Sequence, residues 1–236
     1  MAKLMRLDKY LADMGCGTRT QVKDAIKKGR VSINNEKVKS PDCKINIEDT
    51  IVFFDGQPIF YVTTEYYMLN KPQGVVSATE DKIHKTVVDL IEDKSRKDLF
   101  PVGRLDIDTE GLLLITNDGD LAHRLLSPKN HVDKTYYVEL DKEIPNNAEA
   151  LFLEGVQLEE DFKTMPATLE ILSNNTCYLT IREGKFHQVK RMFEYLDCTV
   201  TYLKRISMGP LKLDEKLLVG QYRKLTNEEI ECLKQL

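Results

Sequence analysis

Apolar and polar positions alternate along this chain in two distinct rhythms. Leu7, Tyr10, Leu11 and Met14 recur at helical spacing and predict an amphipathic first helix, with Gly15 and Gly17 ending it. Thr18 followed by Gln21 predicts a capping-box start for a second helix, which turns Val22, Ala25 and Ile26 inward and stops at Gly29. Short β-type runs follow at 31–34 and 49–54, with a turn at Asn34-Asn35. The segment DGQPIF (55–60) reads as a boundary.

From Tyr61 onward β-type patterns dominate, interleaved with three helices. YYMLNKPQG (66–74) is a strand running into a Pro/Gly turn. LLLIT (112–116) is continuously apolar, as expected of a strand buried on both faces. Asn117-Asp118-Gly119 then breaks into a helix facing Leu121, Ala122 and Leu125 inward. KTYYVEL (134–140), YLTI (178–181) and VTYLKRI (200–206) are further strands, with a helix at about 187–196. Thr226 and Glu229 form a second capping box. The pattern predicts an α+β protein: a small N-terminal module over 1–60, then a domain over 61–236 with a mixed, mostly antiparallel sheet and flanking helices.

Charge changes this picture at one end. Residues 1–44 hold eleven Lys or Arg against five Asp or Glu, a balance of +6 in a chain whose net charge is −4. The remainder therefore carries −10. A basic head on an acidic body points to a polyanion contact. A Lys-rich helix face is ordinarily just solvated. Here Arg19, Lys23, Lys27 and Lys28 on the second helix are joined by Arg6, Lys9 and Arg30, which favours phosphate binding.

Composition excludes several classes. No apolar run approaches the length of a membrane span, and MAKLMRLDKY lacks the apolar core of a secretory signal, so a cytoplasmic protein is expected. Five scattered cysteines and four histidines show neither paired Cys spacing nor HExxH, so no metal is expected.

Three segments concentrate polar groups beyond what a core needs. Gly103-Arg104-Leu105-Asp106 leads through Asp108 into the buried LLLIT strand, a location suited to catalysis, although an Asp in such a turn is more often a loop hydrogen-bonder. In GKFHQVKRMF (184–193), Val189, Met192, Phe193 and Leu196 form a buried stripe. His187, Lys190, Arg191 and Glu194 share the opposite face, so Lys190 or Arg191 is expected to meet a carboxylate or a phosphate. Lys134-Thr135-Tyr136-Tyr137 offers an aromatic that either packs or stacks on a base.

The order NKPQG, GRLDIDTEGLLLITNDG, SPKNHVDKTYYV, EGKFHQVKRMF, YLKRISMGPLKL resembles the RsuA-type bacterial ribosomal RNA pseudouridine synthases, nearly end to end. The head, from RLDKYLADMG to DTIVFF, resembles the RNA-binding domain named after small-subunit ribosomal protein four. Cys-Gly-Thr-Arg before the second helix departs from that domain's usual Ala-Ser-Arg-type run. The resemblance implies isomerisation of a uridine to pseudouridine with no cofactor, by a monomer acting on ribosomal RNA or an assembling subunit. It implies Asp106 as the catalytic carboxylate, Arg104 in extruding the nucleotide, Tyr136 stacked on uracil, Lys190 paired with the aspartate, and Leu203 lining the pocket. The target it suggests is small-subunit RNA, at the site the family calls uridine-516, with large-subunit RNA as the alternative. Two further readings stand beside it. An aspartate-based phosphatase is suggested by Asp106-Ile107-Asp108-Thr109, and a non-catalytic ribosome-associated RNA-binding factor by the basic head.

Overall fold

A computed structural model describes residues 3–236. Contacts divide the chain into two compact units, one of Met1–Glu65 with Asp93–Leu99, the other of Tyr66–Glu92 with Phe100–Leu236.

In the first unit, β1 (Leu4–Arg6) leads into α1 (Leu7–Asp13) and α2 (Arg19–Lys27). β2 (Val31–Ile33), β3 (Glu36–Lys37), β4 (Lys44–Asn46), β5 (Val52–Phe54) and β6 (Gln57–Ile59) follow. Leu7, Tyr10 and Leu11 of α1 and Val22 and Ile26 of α2 bury against Val31, Ile45 and Val52. The capping box of α2 is made in both directions, with Gln21 N donating to Thr18 Oγ1 and Thr18 N to Gln21 Oε1.

The segment read as a boundary, residues 55–60, forms the turn and second strand of a hairpin. Asp55-Gly56 takes positive φ at both residues (50° and 78°), a turn whose twist matches antiparallel strands, and it joins β5 to β6. The division between the units falls after Glu65, five residues later than the sequence suggests. Asp93–Leu99 returns to the first unit because Glu65 accepts from the backbone N–H of Ser95 and Arg96. The buried Arg96 guanidinium also donates to the Tyr61 hydroxyl and the Val62 carbonyl and lies 3.7 Å from Asp13. These contacts are long-range, and no local pattern announces them.

In the second unit come β7 (Tyr66–Lys71), β8 (Phe100–Pro101), β9 (Glu110–Thr116), α3 (Gly119–Leu126), β10 (Lys134–Leu140), α4 (Ala148–Glu154), β11 (Gln157–Glu159) and β12 (Phe162–Lys163). β13 (Thr168–Ile171), β14 (Thr176–Ile181), α5 (Gln188–Glu194), β15 (Val200–Met208), β16 (Leu211–Lys212), β17 (Tyr222–Lys224) and α6 (Asn227–Lys234) complete it. The sheet runs β13-β14-β10-β15-β9-β7-β17, and its pairs are antiparallel except β15 with β9. It is the mixed, mostly antiparallel sheet expected. α4 is a helix that the sequence reading passed over. Its run AEALFLE is short and buries only Ala148 and Phe152, too few positions to establish a helical rhythm.

Where β9 and β15 pair in parallel the backbones approach closely. A Cβ at Gly111 would sit 2.2 Å from the Arg205 carbonyl oxygen, so only glycine fits between β9 and β15.

Candidate active site

The loop between β8 and β9 carries Arg104, Asp106 and Asp108, and its shape is fixed from beneath. Lys71, at the end of β7, is fully buried, and its ammonium donates to the carbonyls of Asp106 (3.0 Å), Thr109 (2.9 Å) and Pro72 (3.0 Å). Ser77 clamps Leu105 in both directions, its Oγ donating to the Leu105 carbonyl and accepting from the Leu105 N–H. Thr109 N donates to the Asp106 carbonyl, closing a turn over Asp106–Thr109, and Gly74 N donates to the Ile107 carbonyl. Burial pushes the Lys71 ammonium down to about 8, against the opposing pull of the carboxylates of Asp106, Asp108 and Glu110.

One cleft gathers five of the residues singled out in the sequence: Arg104, Asp106, Tyr136, Lys190 and Leu203 all line it. Tyr136 and Leu203 reach it from β10 and β15, neighbouring strands whose inward faces carry both side chains. Lys190 reaches it from α5, whose opposite face buries Val189, Met192 and Phe193. The walls are thus an aromatic ring and an aliphatic side chain, and the polar groups stand at one edge.

The electrostatics differ from the simple pair expected. Lys190 Nζ is 3.6 Å from Asp106 Oδ2, but it hydrogen-bonds to both oxygens of Asp108, at 2.7 and 2.8 Å. The lysine is shared between two carboxylates, and its hydrogen bond holds the Asp108 carboxyl below the usual carboxylate range. His187 Nε2 approaches Asp106 Oδ1 to 3.8 Å. Arg191, the alternative cation on this helix, turns away to Glu159 (2.8 Å) and the Leu158 carbonyl (3.2 Å).

Two further buried cations stand on the same strands, beside Tyr136 on β10 and Leu203 on β15. Lys134 donates to the Val132 carbonyl, and Arg205 Nε donates to the Leu112 carbonyl. Burial, reinforced by the Arg205 charge, pushes Lys134 down to about 8. Lys71, Ser77, Lys134 and Arg205 escaped the sequence reading. Each sits in a strand or turn where Lys, Arg and Ser are normally surface residues, and only tertiary burial reveals them.

The basic positions of the head belong to the first unit and are mostly engaged. Arg6 is bonded to the buried carboxylate of Asp8 at 3.0 Å, with Lys23 at 3.8 Å from the same group. Lys9 is paired with Asp13 at 2.7 Å, and Arg30 Nε donates to Asp55 at 2.8 Å. Among the described residues no ion pair is recorded for Arg19, Lys27 or Lys28. Likewise, among the described residues no cluster of His, Cys, Asp or Glu could hold a metal ion, and no helix is long and apolar enough to cross a membrane.

A carboxylate on a clamped loop beside a lysine and a histidine, in a cleft with an aromatic wall, is equipment suited to work on a planar ring. The RNA pseudouridylate synthase family model matches residues 65–195 and the S4 domain model residues 5–51, and the chain belongs to the RNA pseudouridylate synthase family. It is an isomerase acting on RNA. Its relatives include the Bacillus subtilis protein named uncharacterized RNA pseudouridine synthase YtzG, 49% identical over 97% of this chain and 98% of that one. The ribosomal small subunit pseudouridine synthase A of Haemophilus influenzae is 44% identical over 97% and 99%. A crystal structure of a pseudouridylate synthase, 42% identical, superposes over 97% of this chain and 99% of that one with a TM-score of 0.69.

Proposed function

We propose that this chain converts a uridine of small-subunit ribosomal RNA to pseudouridine in the cytoplasm, at the site the family calls uridine-516, with Asp106 as the catalytic carboxylate. The observation that carries the reading is the placement of Asp106: its carboxylate is partly exposed in the cleft that Tyr136 and Leu203 line, with Lys190 and His187 within 4 Å.

Isomerisation must break the bond from C1′ to N1, turn the freed uracil, and join C1′ to C5. The target base is stacked in RNA, so it is first flipped out, at a cost of a few kcal/mol. Arg104, exposed on the cleft rim, is suited to fill the vacated place or hold the backbone. Tyr136 and Leu203 then sandwich the ring against a dry surface. Two routes suit the ionised Asp106: attack on C1′, or removal of a sugar proton as the base departs. In both, Lys190 Nζ at 3.6 Å and His187 Nε2 at 3.8 Å face the Asp106 carboxylate. Joining C1′ to C5 releases the C5 hydrogen to solvent while N1 takes up a proton, so the overall change is an isomerisation and needs no redox partner.

Small-subunit RNA is supported by the relatives that carry that name at 41–44% identity over nearly the whole chain. RNA capture by Arg6, Lys9, Arg19, Lys23, Lys27, Lys28 and Arg30 is supported by the S4 match to residues 5–51 and the charge of the head.

The test is tritium release from uridine-labelled ribosomal RNA, followed by mapping of the product. Asp106→Asn should leave the fold intact and reduce turnover by on the order of 10⁴-fold or more. Retention of a tenth of the wild-type rate would overturn Asp106. Pseudouridine appearing only in large-subunit RNA would overturn the target.

A further inference from the structure

Phe186 is 76% exposed, an unusual state for a phenylalanine at the edge of a functional cleft. Its ring lies stacked on His187, centroids 3.8 Å apart and planes 18° from parallel, and His187 itself lines the cleft and faces Asp106.

The turn that presents this pair is rigid. Gln188, buried, accepts from the Lys185 N–H with its Oε1 and donates from its backbone N–H to the Lys185 carbonyl. Its Nε2 donates to Glu183, also buried, and Glu183 accepts from Met165 N as well. His187 takes a left-handed conformation (φ 50°), a strained choice for a non-glycine residue. Lys185 lies over the Phe162 ring at 5.2 Å. Both ends of the turn are therefore tied down, while the aromatic between them is held out in water. A side chain placed so is preorganised for a partner that brings an apolar face.

We infer that the Phe186–His187 stack is a platform for the nucleobase adjoining the flipped uridine. The inference rests on the RNA-modifying reading given above and adds a second base subsite to it. Three observations select a nucleobase as occupant. The platform is continuous with the cleft through His187. Cations Arg104, Lys185 and Lys190 line the same cleft and suit the phosphodiester on either side of a base. Finally, flipping a uridine breaks the stack of its neighbour and leaves that neighbour with a bare π-face, which an aromatic side chain can cover.

The experiment uses the full chain and a small-subunit ribosomal RNA transcript. Once the isomerised uridine is mapped, the base on each side is removed in turn to give an abasic site. Removal on one side should lower kcat/KM of the wild type by at least about fivefold, the scale of one base–aromatic stack. Phe186→Ala should lose the same factor on intact RNA and nothing more on that abasic RNA, while Phe186→Trp should retain it. Equal kcat/KM for wild type and Phe186→Ala, or two losses that multiply, would overturn the platform. Because Phe186 is exposed, Phe186→Ala should keep the wild-type circular dichroism and melting temperature. A readout free of turnover is fluorescence of a short oligouridine carrying one 2-aminopurine: wild type should quench it and Phe186→Ala should not. Quenching without pseudouridine formation in any RNA would sink the enzymatic reading and leave the stack. Pseudouridine formation unaffected by Phe186→Ala would sink the stack alone.

Discussion

The basic head and the buried cations around the cleft use positive charge in opposite ways. In the first, cations stand at the surface against carboxylates: Arg6 with Asp8, Lys9 with Asp13, Arg30 with Asp55. In the second, Lys71, Lys134 and Arg205 are buried and donate to backbone carbonyls. Exposed pairs such as Lys9 with Asp13 are screened, so they contribute little to stability. Buried donors hold backbone carbonyls in place, so they fix shape at the cost of desolvation. Within one chain, then, charge left at the surface and charge that shapes the backbone are separated by burial.

The strongest way to break this contrast is Lys71→Met. Three carbonyls would lose a buried charged donor, and a loss of roughly 3 to 5 kcal/mol of unfolding free energy is expected, by analogy with removing one partner of a buried charged contact. Lys9→Met, measured in the same urea titration, should change stability by less than about 1 kcal/mol. Comparable losses would erase the distinction.

Lys134 sharpens it through pH. Its folded value, about 8, is depressed below the ordinary 10.5, so between those values the unfolded chain holds the extra proton. The stability contributed by this group therefore rises with pH across that window and is least favourable below about pH 8. Lys134→Met removes the penalty. The stability difference between that variant and the wild type should drift toward the wild type by about 3 kcal/mol as pH goes from 7 to 10.5. A pH-independent difference would mean that Lys134 is not held against its burial.

For the head, the existing ion pairs rank the cations. Changing Arg19, Lys27 and Lys28 together to Ala should flatten the slope of log K against log salt by about 2 to 3 for ribosomal RNA. The same change at Arg6, Lys9 and Arg30 should flatten it by less than about 1, since each must first leave a carboxylate. Equal slopes for the two triple variants would show that the pairs open without cost. The smallest effect expected is Thr18→Ala, which removes one half of the α2 capping box and should cost about 1 kcal/mol by thermal melting.

Much of this was legible from residue order. Periodicity and caps located α1, α2, α3, α5 and α6, because each has an apolar stripe and most carry a polar start signal. The cleft residues were legible through their motifs, and the structure brings Arg104, Asp106, Tyr136, Lys190 and Leu203 to one place. What escaped was long-range. The return of Asp93–Leu99 to the first unit depends on Glu65 and Arg96 meeting partners some thirty residues away. The sharing of Lys190 between Asp106 and Asp108 depends on side-chain geometry across 82 residues of chain. The hairpin at Asp55-Gly56 was different: its Asp-Gly signal was present, but it was read as a break rather than a turn.

The reach of Lys71 also bears on when the protein becomes active. Its ammonium caps the carbonyls of residues 106 and 109, at separations of 35 and 38 along the chain, so the loop bearing Asp106 takes its shape only after β7 and β9 have paired. Contacts of such span form late in folding, once the entropy of closing the intervening loop has been met. A chain emerging from synthesis or trapped half-folded can therefore carry an exposed basic head before it has a working cleft. Maturation of the loop that bears Asp106 is then a step separate from the folding of the head.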